Sequence, residues 1–424
     1  MAQTTTPPAP TVAPRRSRWR DAFAGTPGTL RAFGAVSVAA TLLFGIVGFA
    51  AVSARSSSLA TARSEAAQLV RLQRIHTNLV EADASATNAF LVGGLEPRSL
   101  RESYEGGIAR ASATLAEASA HGEADGVALG KVNDALSRYT GLVESARANN
   151  RQGFPVGVAY LKQASNLLQV EMLPTLSSLV DRSQRRVSDA YGRSSSATSG
   201  LWIGAAIFLA ATLSAASWLA ARTRRLVNVP LTAAVGVIVL ATVVSTFLMG
   251  VAQIKADDVR DGAYADSVAL AAARIAAFDA KSAESLTLIS RGSGEAYDQR
   301  FDEQMAVARQ QAQLGTHDRT VNGTLDSYVL VHQTIRTADE SGDWDQAVAI
   351  ATGPASDRMT ANGAFRAFDT ASGRELDTRA TAIAGDLDDA QTPLTGLRWV
   401  LLALALAAAA AAWRGVAIRL REYE

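Results

Sequence analysis

Apolar residues are not spread evenly along the 424-residue chain; they gather in four long runs, and between the runs they recur with helical spacing. A helix needs ~20 mostly apolar residues to cross ~30 Å of hydrocarbon. Leu30 to Ala54 meets this, with no acid or base between Arg31 and Arg55. So do Gly200 to Ala221, Leu226 to Ile254 and, more weakly, Leu397 to Ile418. Arg398 and Arg414 bracket the last run, where their stems can snorkel, and Trp399 and Trp413 sit where interfacial aromatics belong. The first run ends in Val52-Ser53-Ala54, a small-residue pattern. It is longer than a secretory h-region of ~7–15 residues, so an uncleaved anchor is expected.

Between the runs the pattern is helical. Leu69, His76, Asp83 and Phe90 recur every seventh residue, interleaved with Leu72, Leu79 and Ala86; Val268, Ile275, Ser282 and Ile289 do the same further on. Gly and Pro punctuate these stretches. Gly93-Gly94, Pro97, His121-Gly122 and Gly153-Phe154-Pro155 divide the first long segment into four helices. Arg291-Gly292-Ser293-Gly294, Gly315-Thr316 and Ser341-Gly342-Asp343 fall at equivalent places in the second, with Asp343 as an expected N-cap. Leu136-Ser137-Arg138-Tyr139 matches Leu325-Asp326-Ser327-Tyr328, and Gly153 and Gly342 lie equally far beyond. The second copy departs at Gly353-Pro354, where its last helix should kink or restart. In the first segment, outer helices of ~40 residues against inner ones of ~25 predict lengths of ~60 Å and ~37 Å.

The expected fold class is an all-α membrane protein, with four transmembrane helices and two extracytoplasmic four-helix bundles arranged as a tandem repeat. The predicted order is a disordered cytoplasmic tail (1–29), TM1 (30–54), bundle 1 (55–198), TM2 (199–221), a cytoplasmic link (222–229), TM3 (230–254), bundle 2 (255–396), TM4 (397–418) and a stub (419–424).

Charge sets the expected orientation. Net charge is only +1, and 41 basic residues against 40 acidic give no global field for nucleic acid. Locally, however, Arg15, Arg16, Arg18, Arg20 and Arg31 precede the first run; Arg222, Arg224 and Arg225 fill the link, with no acid; and Arg414, Arg419 and Arg421 follow the last. The positive-inside rule puts these on the cytoplasmic side and both long segments outside, in a plasma-membrane protein. The cytoplasmic pieces are then too short for a kinase or signalling coiled coil, so a signal would be executed by a separate protein.

Candidate chemistry is sparse. Cysteine is absent, which excludes disulfides and thiolate sites. His76, His121, His317 and His332 have no paired-ligand spacing, and no GxSxG, Walker or GxGxxG motif occurs. No catalytic, cofactor-binding or metal site is expected, and the chain reads as a non-enzyme. No ionisable residue lies mid-span, which speaks against a transporter pathway. Three constellations stand out. His76 and Asp83 share the apolar seam, reflecting a rotated seam or polar groups satisfied inside the bundle, or else a buried polar pair that sets packing or senses protons. Asp257, Asp258 and Asp261, with Asp386, Asp388 and Asp389, flank the third and fourth runs as a solvated acidic collar or a cation site. The stretch at 146–155, with Asn149, Asn150, Arg151 and Phe154, forms a polar, basic tip, an ordinary loop or a docking point for an outside partner. Arg222, Arg224 and Arg225 are the inner counterpart.

A membrane helix that feeds a four-helix bundle and returns resembles the sensor modules of bacterial chemoreceptors, here in tandem and without their signalling domains. With Arg147 to Leu161 (RANNRQGFPVGVAYL) and Arg224 to Leu231 (RRLVNVPL), the chain resembles the GlnX family of actinobacteria. The resemblance implies a relay of amino-acid status from an extracytoplasmic substrate-binding lipoprotein to a soluble cytoplasmic Ser/Thr kinase. No functional residues carry over from it. The second segment lacks a close copy of the NNRQGFPVG stretch, so the two need not share a partner. The rival readings are a structural or envelope-interaction protein and an accessory subunit of a transporter complex; a homodimer is left open.

Overall fold

The computed structural model describes residues 25–92, 96–121, 125–223 and 229–420. The N-terminal tail, Gly93-Gly94, Gly122, Arg224, Arg225 and the last four residues lie outside them. The described chain is all helical: α1 (Gly25–Val92), α2 (Arg98–His121), α3 (Gly126–Arg151), α4 (Val156–Leu167), a π turn (Leu168–Met172), α5 (Leu173–Thr223), α6 (Val229–Val259), a second π turn (Arg260–Tyr264), α7 (Ala265–Ile289), α8 (Glu295–Gly315), α9 (Arg319–Glu340), α10 (Trp344–Thr352) and α11 (Ala361–Leu420). Four stretches are long and apolar enough to cross a membrane, lying within Arg31–Val92, Ser199–Ser217, Thr232–Ile289 and Ala361–Ile418. The chain is therefore a helical membrane protein.

It divides into two compact units. The first gathers the apolar runs: residues 1–57, 194–251 and 392–424. Here glycine lets backbones approach. A Cβ on Gly45 would meet the Ala405 methyl at 2.6 Å, and one on Gly34 would meet Val416 at 2.8 Å, so α1 and α11 pack through small residues. The Phe49 and Trp399 rings meet edge to face at 5.3 Å. Ile46, Ile203, Leu240, Phe247 and Leu406 point outward, each more than half exposed. An apolar surface of that kind is stable against lipid and not against water.

The second unit joins residues 58–193 and 252–391. The two large segments thus form one body and share a core. The reason is visible in the first helix of each. On α1, every residue of Ala82–Ala89 except Ser85 is buried, and on α7 every residue from Ala276 to Leu288 is buried. A helix buried all round is a central element rather than one face of a bundle. Alanine and serine dominate both stretches, which allows such close packing. The heptad seam is buried in α1 at Leu69, Leu72, His76, Leu79, Asp83 and Ala86, and half-buried at Phe90. In α7 it is looser: Val268, Ile275 and Ile289 are half-buried, and only Ser282 of that set is fully inside. Burial from both sides has overridden the simple stripe.

The punctuation residues act as expected where they are described. Gly153 has φ +71° and Gly342 φ +85°, both left-handed. At each, the residue after the glycine donates back across the last turn: Phe154 N–H to Asn149 O at 2.9 Å and Asp343 N–H to Ala338 O at 2.9 Å. The glycines themselves donate to Asn150 O and Asp339 O. Both ends are Schellman caps, at equivalent places in the two segments. Asp343 then caps α10, accepting from Gln346 N–H at 3.1 Å. At Gly353-Pro354 the second segment breaks, as its sequence predicts, and restarts at α11. The restart is capped by Thr360, whose hydroxyl accepts from Gly363 N–H at 3.1 Å.

Candidate functional site

Two sites emerge, one at the surface and one in the core of the second unit. The surface site lies where α1 ends and α3 meets its cap. Ala86, Ala89 and Phe90 of α1 form its apolar side, and Glu96, Arg101, Glu144, Arg147, Asn150 and Arg151 surround it, enclosing a cleft of about 110 Å³. Arg147 organises the wall. Its guanidinium stacks 4.1 Å above the Tyr104 ring, and it binds Glu96 at 2.8 Å and Glu144 at 2.7 Å. Arg147 and Glu96 are nearly buried, which makes this pair stronger than a solvated one. Asn150 donates from Nδ2 to Phe90 O at 3.2 Å, satisfying one of the last carbonyls of α1.

Of the expected tip residues, Asn150 and Arg151 line this cleft; Asn149 and Phe154 belong to the adjoining cap. Asn149 is half-buried; its amide bonds Ser145 O, and its own carbonyl anchors the Schellman turn. Arg151 is exposed and makes no hydrogen bond or ion pair among the described residues. Phe154, 52% exposed, stands on the hydrogen-bonded cap. The tip is therefore a fixed presentation of one cation and one aromatic ring beside a charged cleft. Arg222 falls in the last turn of α5, but its side chain, like Arg224 and Arg225, is outside the described residues. Glu96, Arg101 and Glu144 have no signal of their own in the sequence; they become a site only when α1, α2 and α3 converge.

The core site is polar. Asp83, on α1, accepts from Tyr139 Oη at 3.1 Å, Ser165 Oγ at 2.8 Å and Ser282 Oγ at 2.6 Å. The last donor comes from the second segment. In the reverse direction, Asp279 on α7 accepts from Gln169 of the first segment at 2.7 Å and from Arg300 of its own at 2.7 Å. Asn88 and Asn362 join the two segments a third time, at 2.5 Å. Burial pushes the Asp83 carboxyl up, partly offset by its three donors. His76 makes no bond to Asp83; burial lowers it to about 4, so it is neutral at physiological pH. Asp83 is thus satisfied inside the core by three donors, and His76 is buried without a bond to it.

The second segment has its own buried carboxylate. Glu284 takes Lys281 Nζ at 2.6 Å, His332 Nδ1 at 2.8 Å and Tyr328 Oη at 3.2 Å. The Phe301 ring stacks on His332 with centroids 3.4 Å apart. Burial alone would raise Glu284, but Lys281 and His332 hold it down at about 2. The signal for this cluster was present: Lys281 and Glu284 stand three residues apart on a helix rich in alanine and small residues. Half of the acidic collar is paired with arginine: Arg260 binds Asp261 at 2.7 Å and lies 3.8 Å from Asp257, and Arg63 binds Asp388 at 2.7 Å.

This is a helical membrane protein with a charged, capped tip and a polar core shared by two segments. Residues 58–192 match the family model of the actinobacterial sensor domain. The match covers the first segment, cleft and tip included, and supports a sensing role. No curated protein and no solved structure matches the chain.

Proposed function

We propose that the chain is a transmembrane relay: its large helical unit receives an extracytoplasmic signal, and its membrane helices pass it to a separate cytoplasmic effector such as a Ser/Thr kinase. The observation that carries this is the coincidence of the sensor-domain match at 58–192 with helices that run on into apolar spans. α1 has 68 residues and α5 has 51, each continuous from the matched segment into an apolar run. A continuous helix transmits a small shift or rotation along its length, because its backbone hydrogen bonds resist local bending. The signal is an amino acid or an amino-acid-loaded substrate-binding lipoprotein, engaging the tip at Arg151 and Phe154. The arginines at 222, 224 and 225 face the cytoplasm and meet the effector.

Affinity purification of the full-length chain from its own membranes tests this. A binding lipoprotein and a cytosolic effector should co-purify, and Phe154→Ala with Arg151→Glu should lose the first while retaining the second. If neither partner is recovered, the relay reading falls. Replacing Arg222, Arg224 and Arg225 with alanine should abolish the cellular response with insertion intact; an envelope stalk would keep its function.

A further inference from the structure

α4 and α5 are one helix interrupted by a single wide turn, Leu168–Met172. Leu173 N–H donates to Leu168 O, five residues back instead of four. The cause is local. Pro174 has no N–H, and in a regular helix its ring would collide with the carbonyl four residues before it, at Val170. Widening the preceding turn by one residue relieves the clash and turns the apolar Val170 outward, 64% exposed.

Two bonds hold this turn. Glu171 pairs with Arg138 on α3. Gln169 donates to Asp279 on α7, and Asp279 is itself buried and fixed by Arg300. The second segment therefore grips the wide turn from outside, through a carboxylate that cannot easily move. Beyond the turn, α5 continues without a break through the apolar stretch at Ser199–Ser217.

We propose that the π turn at Leu168–Met172 is a register switch in the helix leading to the second span, held in its wide form by the Gln169–Asp279 latch. Each residue added to or removed from a helical turn rotates the rest of the helix by roughly 100°. Pro174 favours the wide turn and the latch fixes it against α7; release of the latch frees the turn to adopt narrower, proline-kinked forms in which α5 rotates relative to α4. The second segment then acts as the element that sets this register. The switch needs only the helical unit, and the proposed partners play no part in its test.

Cysteine is absent from the chain, so introduced thiols label without background. In full-length protein in lipid nanodiscs, spin labels at Gln163→Cys and Ser177→Cys flank the turn, and hydrogen exchange reads its amides. Gln169→Ala should accelerate exchange of the 168–173 amides about tenfold, leave α8 and α9 unchanged, and add a second inter-label distance. Pro174→Ala should shift the distance distribution in the same direction, because the narrow turn no longer clashes. Unchanged distances in both variants would overturn the switch. Equal acceleration across α8 and α9 would also overturn it, since the bond would then serve overall stability only.

Discussion

In the first segment the buried carboxylate of Asp83 is met only by hydroxyls; in the second, Glu284 is met by an ammonium, an imidazole and a phenol. Each lies under a fully buried tyrosine, Tyr139 or Tyr328, from the third helix of its segment. The frame is alike and the electrostatics are opposite: burial raises Asp83, while Lys281 and His332 hold Glu284 near 2. Hydroxyls can turn to donate or accept, so the Asp83 site tolerates a change of charge. The Glu284 site cannot, because Lys281 has no other buried anion bound to it in the described structure. The more adaptable of the two centres also exchanges a bond with the other segment, through Ser282, and it is the first segment that matches the sensor family.

Neutralising each carboxylate in turn should separate the two centres most. Glu284→Gln leaves Lys281 buried without its counter-ion and should cost on the order of 3–5 kcal/mol. Asp83→Asn should cost only about 1 kcal/mol, because Tyr139, Ser165 and Ser282 can reorient around an amide. Denaturant melts in detergent should distinguish them; equal losses would mean that the ionic character of the second centre contributes nothing.

Acid titration gives the next largest effect. Glu284 is depressed, so its stabilisation is present above its unfolded value near 4.5 and is lost as pH falls toward about 2. His76 is also depressed, to about 4: the unfolded chain takes up a proton first, and stability falls between pH 6.5 and 4. A shift of that size corresponds to about 3 kcal/mol for His76. His76→Phe should flatten the stability curve between pH 6.5 and 4 and leave the acid limb below it intact. A slope unchanged by that substitution would remove His76 as its source.

The smallest contrast lies at the two Schellman glycines. Both have open space around a would-be Cβ, so the cost of Gly153→Ala or Gly342→Ala is the left-handed backbone alone, about 1 kcal/mol each. Thermal melts should shift equally. A larger loss at Gly153 would show that the tip, with Arg151 and Phe154, is coupled to the core and is more than a cap.

Much of this protein was written in local pattern. Run length fixes the four apolar stretches, because hydrocarbon thickness is a one-dimensional constraint. Glycine and proline fix where helices stop, because they act on backbone torsions within a few residues; Gly153, Gly342 and Gly353-Pro354 all fall where the chain turns. The burial of His76 and Asp83 also follows from their place on the seam. Tertiary structure alone decided that the two large segments share one core. That depends on Asp83 meeting Ser282 and Asp279 meeting Gln169, partners 199 and 110 residues apart, whose pairing no periodicity encodes. The cleft around Arg147 is of the same kind, since its apolar side and its charges belong to three helix ends that only packing brings together. Local spacing can say that a residue is inside; which residue it meets there is decided by the fold.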